Sequence, residues 1–468
     1  MKINIGSNEV IHFIGIGGIG MSGLAQIMKN MGFNIQGSDL NKNKNTERLI
    51  KSGVKVFFKH DKQNLKNATM VVISSAVKKN NKELKNAKYK NLPIFKRGDM
   101  LANIVALKKN IVITGSHGKT TTTSLVGNIL FEAGLDPTII NGGVINSFKN
   151  NAQLGKSEWA VIESDESDGS FLKLPVTYSI VTNVDKEHLD YYGSFEKLKK
   201  SFTKFIDKTP SFGKSFVCID NKNLKFLVKK CKNKNFLTYG FNKDSNYQIK
   251  NVKKNKNNSI FDLKVKFPEK KDYKIKKLKI NLLGEHNISN SAASIAVALN
   301  LGIKINKIKK TLRKFLGIQR RFTKVFSIGK KDFFDDYAHH PTEIRAVING
   351  AREVYKNRKI ICVFQPHRYS RVRALKKEFA LSFKSADTVI LCPVYSAGEK
   401  AIKGINSQSI LEAIKNKGKE KLFFANSIEH AIELIETFIP NEKGILLIQG
   451  AGSISKISQE LLEKIGKQ

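Results

Sequence analysis

The sequence predicts an α/β protein of three domains, each built on a mostly parallel sheet flanked by helices. Three observations carry that prediction. Short β-rich runs alternate with helix-length segments along most of the chain. Glycine-rich turns stand twice where such a run gives way to a helix, at Gly15–Gly20 and Gly115–Gly118. The length, 468 residues, also exceeds what one hydrophobic core usually supports.

The first domain is expected over residues 1–105. Val10–Ile16 reads as a strand, Gly17–Gly20 as a turn and Met21–Met31 as a helix. The next strand, Phe33–Gln36, ends at Gly37-Ser38-Asp39, and Val54–Phe58 and Met70–Ser74 continue the pattern. The second domain, 106–319, has strands at Ile111–Thr114, Trp159–Ile162 and Tyr178–Thr182, with a helix from Thr120 to Ala133. Its Lys/Asn-rich stretch Lys222–Lys279 alternates Phe, Leu and Val with polar residues, which predicts antiparallel strands at a sheet edge. Gly284–Leu301 is the following helix. The third domain, 320–468, has strands at Phe333–Asp335, Lys359–Phe364, Thr388–Cys392 and Gly444–Gln449 with helices between. No repeat of solenoid period interrupts this order.

Composition narrows the function classes. The hydrophobic fraction of 41% is that of a soluble globular protein. No apolar run approaches the roughly 18 residues of a membrane span. Glycines at 15, 17, 18 and 20 break the run that could pass for a leader, so a cytoplasmic protein is expected. Cys218, Cys231, Cys362 and Cys392 form no C-x-x-C pair, which argues against disulfides and structural zinc. A formal charge of +42 raises nucleic-acid binding. The lysines, however, are scattered and often beside asparagine, as in Asn41–Asn45, with no basic stripe interleaved with aromatics. A solvated basic surface is the simpler reading, and no nucleic-acid or membrane partner is expected.

The strongest chemical signal is Thr114-Gly115-Ser116-His117-Gly118-Lys119-Thr120-Thr121, between a strand and a helix. Glycines let successive N–H groups turn towards phosphate oxygens, and the helix N-terminus adds positive potential. Lys119 supplies a mobile charge and Thr120 a hydroxyl for magnesium. The motif is shortened: the full pattern has glycine where this chain has Ile113. A carboxylate is also needed for the metal. Glu163 stands where the strand Trp159–Ile162 runs out and opens the cluster Glu163, Asp165, Glu166, Asp168. Such close carboxylates repel unless a cation sits among them. The neighbouring strand ends in Thr182-Asn183-Val184-Asp185-Lys186-Glu187-His188, which makes His188 a candidate for metal or phosphate contact.

The first glycine loop satisfies G-x-G-x-x-G, and Asp39 follows at the end of the second strand. On that fingerprint alone the loop serves a dinucleotide with Asp39 on a ribose, and a nicotinamide enzyme remains a rival reading. Asn287 and Asn290 share a face at the start of the helix Gly284–Leu301, where one caps the helix or both meet a nucleotide. In the third domain Asp335-Asp336-Tyr337-Ala338-His339-His340 lies between a strand and a helix opened by Pro341. Arg320, Arg321, Arg368 and Arg371 are either an anion clamp or solvated surface arginines.

Taken in order, GSHGKTTTTSLV, ESDESDGSF, TNVDKEHLDYYG, GEHNISN, QRRF, DDYAHHPTE and QPHRYSR resemble the Mur ligase family over nearly the whole chain. The resemblance implies a Rossmann-like N-terminal domain that binds a UDP-sugar rather than NAD, a central P-loop ATPase domain and a Rossmann-like C-terminal domain. It implies an ATP- and Mg²⁺-dependent amide ligase that forms an acyl phosphate on UDP-N-acetylmuramate and passes it to L-alanine. A sister that attaches a ready-made tripeptide is the alternative. Carried over, Gly115, Ser116, His117, Gly118, Lys119, Thr120, Thr121, Asn287, Asn290 and Arg321 would bind ATP. Lys119, Glu163, His188, Arg321 and Asp336 would be catalytic, with Thr120, Glu163 and His188 holding metal. Gly15, Gly17, Gly18, Gly20, Ser38, Asp39, Ser74 and Ser75 would meet the UDP-sugar, and His339, His340 and Arg368 the amino acid.

Overall fold

A computed structural model describes residues 9–465 except 256, 268–269, 419–420 and 439–442. It contains three sheets. The first is wholly parallel: β1 (Val10–Ile14), β2 (Asn34–Ser38), β3 (Lys55–Phe57), β4 (Met70–Ile73) and β5 (Ile94–Lys96), in the order β3-β2-β1-β4-β5. The order reverses beside β1. In open α/β sheets such a reversal leaves a ligand crevice outside the strands' carboxyl ends.

The second sheet has ten strands: β6 (Lys109–Thr114), β7 (Thr138–Ile145), β8 (Asn150–Gln153), β9 (Trp159–Glu163), β10 (Tyr178–Val181), β11 (Lys214–Cys218), β12 (Phe236–Gly240), β13 (Tyr247–Lys254), β14 (Ser259–Phe267) and β15 (Lys270–Ile280). The order is β15-β14-β13-β12-β11-β10-β6-β9-β7-β8. Strand β6 is therefore flanked by β10 and β9, with Val181 opposite Thr114 and Glu163 opposite Ile113. This register brings the ends of three neighbouring strands level. Phe171 anchors the chain just beyond the acidic cluster: it is fully buried, its ring 5.4 Å from Phe202 and 5.2 Å from Phe205.

The stretch Lys222–Lys279 departs from the expectation of antiparallel edge strands; its residues 256 and 268–269 lie outside the described ones. It opens with the helix Lys222–Lys230, and β12 and β13 then join the sheet parallel to β11 and to each other. The helix forms because Leu224, Leu227 and Val228 recur at helical spacing, a pattern masked in sequence by the surrounding lysines. Strand β14 does bury alternate residues, Phe261, Leu263 and Val265, and β15 is the edge.

The third sheet comprises β16 (Thr323–Ile328), β17 (Lys331–Asp336), β18 (Lys359–Phe364), β19 (Thr388–Leu391), β20 (Leu422–Phe424) and β21 (Gly444–Gln449), in the order β16-β17-β21-β18-β19-β20. Only the β16–β17 pair is antiparallel. Period-two alternation sorts its side chains into two cores. Phe333, Ile361, Val363 and Leu446 face one way, and Phe334, Ile360, Cys362 and Leu447 the other.

The three sheets form two compact units. One holds the described residues up to Val252 with Phe261–Ile280 and Ser289–Leu316; the other holds Lys253–Ile260, Asn281–Ile288 and the described residues from Gly317 onward. The first two sheets share a unit because the helix Ile19–Asn30 packs against β7 and β8. There Asn151 Nδ2 donates to Ile19 O at 2.8 Å and Arg48 to Asn150 at 3.0 Å. No helix among the described residues is long and apolar enough to cross a membrane.

Phe171→Ala leaves a cavity that two rings cannot refill. It is expected to cost about 3–5 kcal/mol, read as a lower denaturant midpoint of the first unit. An unchanged midpoint would show that this aromatic cluster does not hold the segment.

Candidate functional site

The phosphate loop depends on two left-handed glycines, Gly115 at φ +132° and Gly118 at φ +80°. A Cβ at 118 would also lie 2.7 Å from Asn290 Oδ1, which sets Asn290 against the loop. Asn183 shapes the loop from the next strand. Its Oδ1 accepts the His117 N–H at 2.8 Å and its Nδ2 donates to His117 O at 3.0 Å, while Thr182 Oγ1 donates to the same oxygen. The His117 N–H, expected on phosphate, is thus turned inwards; its ring Nε2 lies 3.0 Å from Asp185. Asn183 is a residue whose loop-holding role the sequence did not reveal, because it is spelled only by the β6–β10 pairing.

Lys119 opens the helix Lys119–Glu132 and folds back over the loop. Its Nζ donates to Gly115 O at 2.6 Å, Ser116 O at 3.3 Å and Glu166 Oε2 at 2.9 Å. Burial opposes its charge, but Glu166, Asp165 and Glu187 outweigh that and hold the ammonium protonated above the ordinary lysine range. Burial also pushes the Glu166 carboxyl up despite Lys119. Asp165 is held below its ordinary value, burial being outweighed by Lys119 and His188.

Two carboxylate centres lie near the start of this helix, one at Thr120 and one at Lys119. Glu163 accepts from Thr120 Oγ1 at 3.0 Å and from Gly142 N at 2.6 Å. Asp165, Glu166 and His188 form the other, with ligand atoms within 4.8 Å of one another. His188, at φ +54°, brings Nε2 to 3.7 Å from Glu166 Oε1. The acidic cluster therefore divides between Thr120 and His188. Ser116 and Thr121 are buried in the loop and the first turn behind it.

In the first sheet the glycine loop is braced by its own neighbours. Asp39 accepts Gly17 N–H at 2.8 Å and Asn41 N–H at 3.1 Å, so its carboxylate holds the loop; the ribose contact expected of it has a closer competitor. Ser38, expected on the UDP-sugar, is instead fully buried. Its hydroxyl donates to Glu83 at 2.5 Å, while its carbonyl accepts the N–H groups of Gly15 and Ile16. Glu83, invisible as a site residue in sequence, also takes Asn64 at 2.7 Å and has His60 at 3.0 Å. Ser74 borders Gly15 and its Oγ accepts Ala76 N–H; Ser75 is exposed. Gly18 caps the helix Ile19–Asn30, and Gly20 lies in its first turn.

The second unit presents its own set. Asp336 ends β17 with its carboxylate buried, accepting the N–H groups of Phe322 and Ala338, each at 2.7 Å. Burial raises it to about 6, against the pull of Arg321. Arg320 is committed elsewhere, to Asp335 at 3.1 Å and Gly450 O at 2.6 Å, so the four-arginine clamp loses that member. Arg320 and Arg321 both lie over the Tyr337 ring, at 5.2 and 5.4 Å. His340 caps the helix Pro341–Val354, its Nδ1 accepting Thr342 N–H at 3.3 Å, and Glu343 accepts from the backbone of His339 and His340. His339 packs edge-on to His367, which stacks on Tyr395, and burial lowers both imidazoles, His367 to about 4. Arg368 reaches to 4.0 Å from Glu399. Asn287 donates to Leu283 O at 2.8 Å in the first turn of the helix Glu285–Asn300.

Three family descriptions match consecutive parts of the chain: Mur ligase family, catalytic domain, at 10–109; Mur ligase middle domain at 113–298; and Mur ligase, glutamate ligase domain, at 320–452. The chain belongs to the Mur ligase family. The ligase is 57% identical over 465 residues to a UDP-N-acetylmuramate–L-alanine ligase of Pelagibacter ubique, covering 99% of this chain and 100% of the relative. It is 42% identical to the protein of the same name from Brucella anthropi, covering 100% and 99%. A crystal structure of UDP-N-acetylmuramate–alanine ligase from Thermotoga maritima superposes with a TM-score of 0.82 at 29% identity, covering 98% and 99%. A murein peptide ligase from Psychrobacter arcticus shares the fold, with a TM-score of 0.73 at 22% identity and coverage of 98% and 99%.

The raised Asp336 makes a pH prediction. Its native value near 6 lies above the unfolded 3.8, so between about pH 4 and 6 the folded state keeps a proton the unfolded chain has lost. Stability from this group is therefore present at the acidic end and lost as pH rises through 6. Asp336→Asn cannot titrate. From pH 4 to 7 the wild type is expected to lose roughly 1–3 kcal/mol relative to the variant in denaturant melts. A pH-independent difference would refute the raised value.

Proposed function

We propose that this chain joins L-alanine to the lactyl carboxylate of UDP-N-acetylmuramate at the expense of ATP. The observation that carries the reading is the level alignment of β10, β6 and β9, with Lys119 on Glu166 and the adjacent Thr120 on Glu163. A full-length relative of that name at 57% identity supports the substrate choice. Residues 1–105 are assigned to the UDP-sugar, 106–319 to ATP and 320–468 to the amino-acid side.

A carboxylate oxygen of the sugar nucleotide attacks the γ-phosphorus, the bond to the bridging oxygen breaks, and ADP leaves an acyl phosphate. The neutral amine of L-alanine then attacks the acyl carbon. The C–O bond breaks, inorganic phosphate departs, and the nitrogen loses a proton as the amide forms. No protein nucleophile is required. The chain's task is to hold anions in line and screen their repulsion. Lys119 would exchange Glu166 for the transferring phosphoryl group, and Gly115–Thr121 would cradle the nucleotide with Asn287, Asn290 and Arg321. Thr120 with Glu163, and His188 with the neighbouring Asp165 and Glu166, suit two magnesium ions, since the hydroxyl–carboxylate pair and the second acidic group each supply hard oxygen donors. Bound there, the ions would neutralise charge between the two reacting anions. Asp336 would fix the turn that carries Arg321, and His339, His340 and Arg368 would face the amino acid.

Phosphate release from ATP and UDP-N-acetylmuramate is expected to require L-alanine. Release driven only by a murein tripeptide would transfer the assignment to the sister ligase. Separately, Lys119→Ala is expected to lower turnover by about 100-fold or more, with UDP-sugar affinity retained in calorimetry. Equal loss of both would contradict separate nucleotide sites.

A further inference from the structure

Arg368 and Ala397, in the loops that follow β18 and β19, both hold positive φ, at +70° and +50°. A Cβ makes such conformations costly, and the strain persists only where the surroundings over-determine it. Both lie beside one side chain, that of Glu399.

Ala397 and Gly398, the latter at φ +84°, are the central residues of a tight turn in which Glu399 N–H donates to Ser396 O at 3.0 Å. Two successive positive φ values define a turn that asparagine–glycine fills best. Here it reverses the chain and delivers the Glu399 carboxylate to Ser370, 29 residues earlier. Oε2 accepts the Ser370 N–H at 3.0 Å and Oε1 the Ser370 hydroxyl at 2.6 Å. Arg368 is the N-cap of the helix Tyr369–Ser382, but its own side chain makes no capping bond. Glu399 supplies that cap from another loop, and its charge suits the helix's positive end. Burial opposes the ionised form, yet the Ser370 bonds and Arg368 outweigh it and hold the carboxyl below its ordinary range.

The same loop grips the Arg368 backbone from the other side. Arg368 N–H donates to Tyr395 O, and Tyr395 N–H to Pro366 O, each at 2.8 Å. The Tyr395 ring stacks on His367 at 5.5 Å, and a Cβ on Gly452 would lie 2.6 Å from Tyr395 Cγ. The ring is therefore wedged between His367 and the turn after β21. The Arg368 guanidinium comes to 4.0 Å from Glu399 Oε1, within ion-pair range but beyond a hydrogen bond. That pull orients the fork without taking its N–H groups.

We propose that Glu399 is the positioning residue for Arg368, fixing its backbone and aiming its guanidinium at the carboxylate of L-alanine. This rests on the reading of Arg368 as a contact of the amino acid. A planar fork takes a carboxylate at two oxygens only when its approach is fixed, which is what the cap and the ion pair provide. The strain at Ala397 then has a purpose: relaxing the turn would withdraw the carboxylate from Ser370 and Arg368 together.

Steady-state kinetics on the full-length enzyme test this, with ATP, UDP-N-acetylmuramate and L-alanine varied in turn. Glu399→Ala is expected to raise KM for L-alanine about 10-fold, with kcat and the other two KM values within about twofold. Glu399→Gln keeps the shape and one acceptor oxygen, so it reads the same KM even if the alanine variant unfolds, and should show a smaller rise. Arg368→Ala raises that KM by itself, and adding Glu399→Ala to it should change little, since one residue acts through the other. Fully additive effects, or Glu399 variants that lower kcat with all three KM values unchanged, would mark a merely structural cap and overturn the proposal. Arg368→Ala with an unchanged KM for L-alanine would overturn the amino-acid reading of Arg368, and this role of Glu399 with it.

Discussion

The buried contact between Lys119 and Glu166 is the constraint around which the nucleotide site is organised. Each charge alone would be expensive to remove from water, and together they repay that cost only with further hydrogen bonds. The loop supplies them: the carbonyls of Gly115 and Ser116 face the ammonium, and both glycines adopt left-handed conformations to put them there. Asn183 and Thr182 lock His117 from the adjacent strand, so the loop cannot relax. The result is a lysine already placed over a phosphate cradle, with a carboxylate as its resting partner. On the proposed function, an incoming phosphoryl group would replace one anion with another and so keep the buried charge balanced.

The same logic recurs at the first glycine loop. There the buried anion is Glu83; burial raises its carboxyl, but bonds from His12, Ser38 and Asn64 more than compensate and hold it below the ordinary range. Ser38 links this network to the loop, since its hydroxyl meets Glu83 and its carbonyl takes Gly15 and Ile16. Asp39 then fixes Gly17. Ser38 and Asp39, expected on the ligand, thus also shape the loop itself.

Much of this was legible because the chemistry is local in sequence. The phosphate loop, Glu163 at a strand end and the strand-to-helix turn at Asp336 are contiguous motifs with a fixed backbone context. Pro341 at the start of its helix was equally direct. The helix Lys222–Lys230 was not, because its apolar stripe is diluted by lysines that say nothing about periodicity. Arg320 and Arg321 are adjacent and chemically identical, yet one is spent on Asp335 while the other faces Asp336. Only the turn geometry, with Arg320 at φ +58°, separates them.

By itself, then, the sequence determined the α/β class, the two glycine loops, the phosphate-loop lysine and the carboxylates near it, since each is written in consecutive residues. Tertiary structure alone decided which carboxylate serves which partner, because register levels Glu163 with Thr120 and turns Glu166 to Lys119 and His188. It also decided that Glu83 and Asn183 matter. Their partners are distant along the chain, and their burial and pairing exist only once neighbouring strands have aligned.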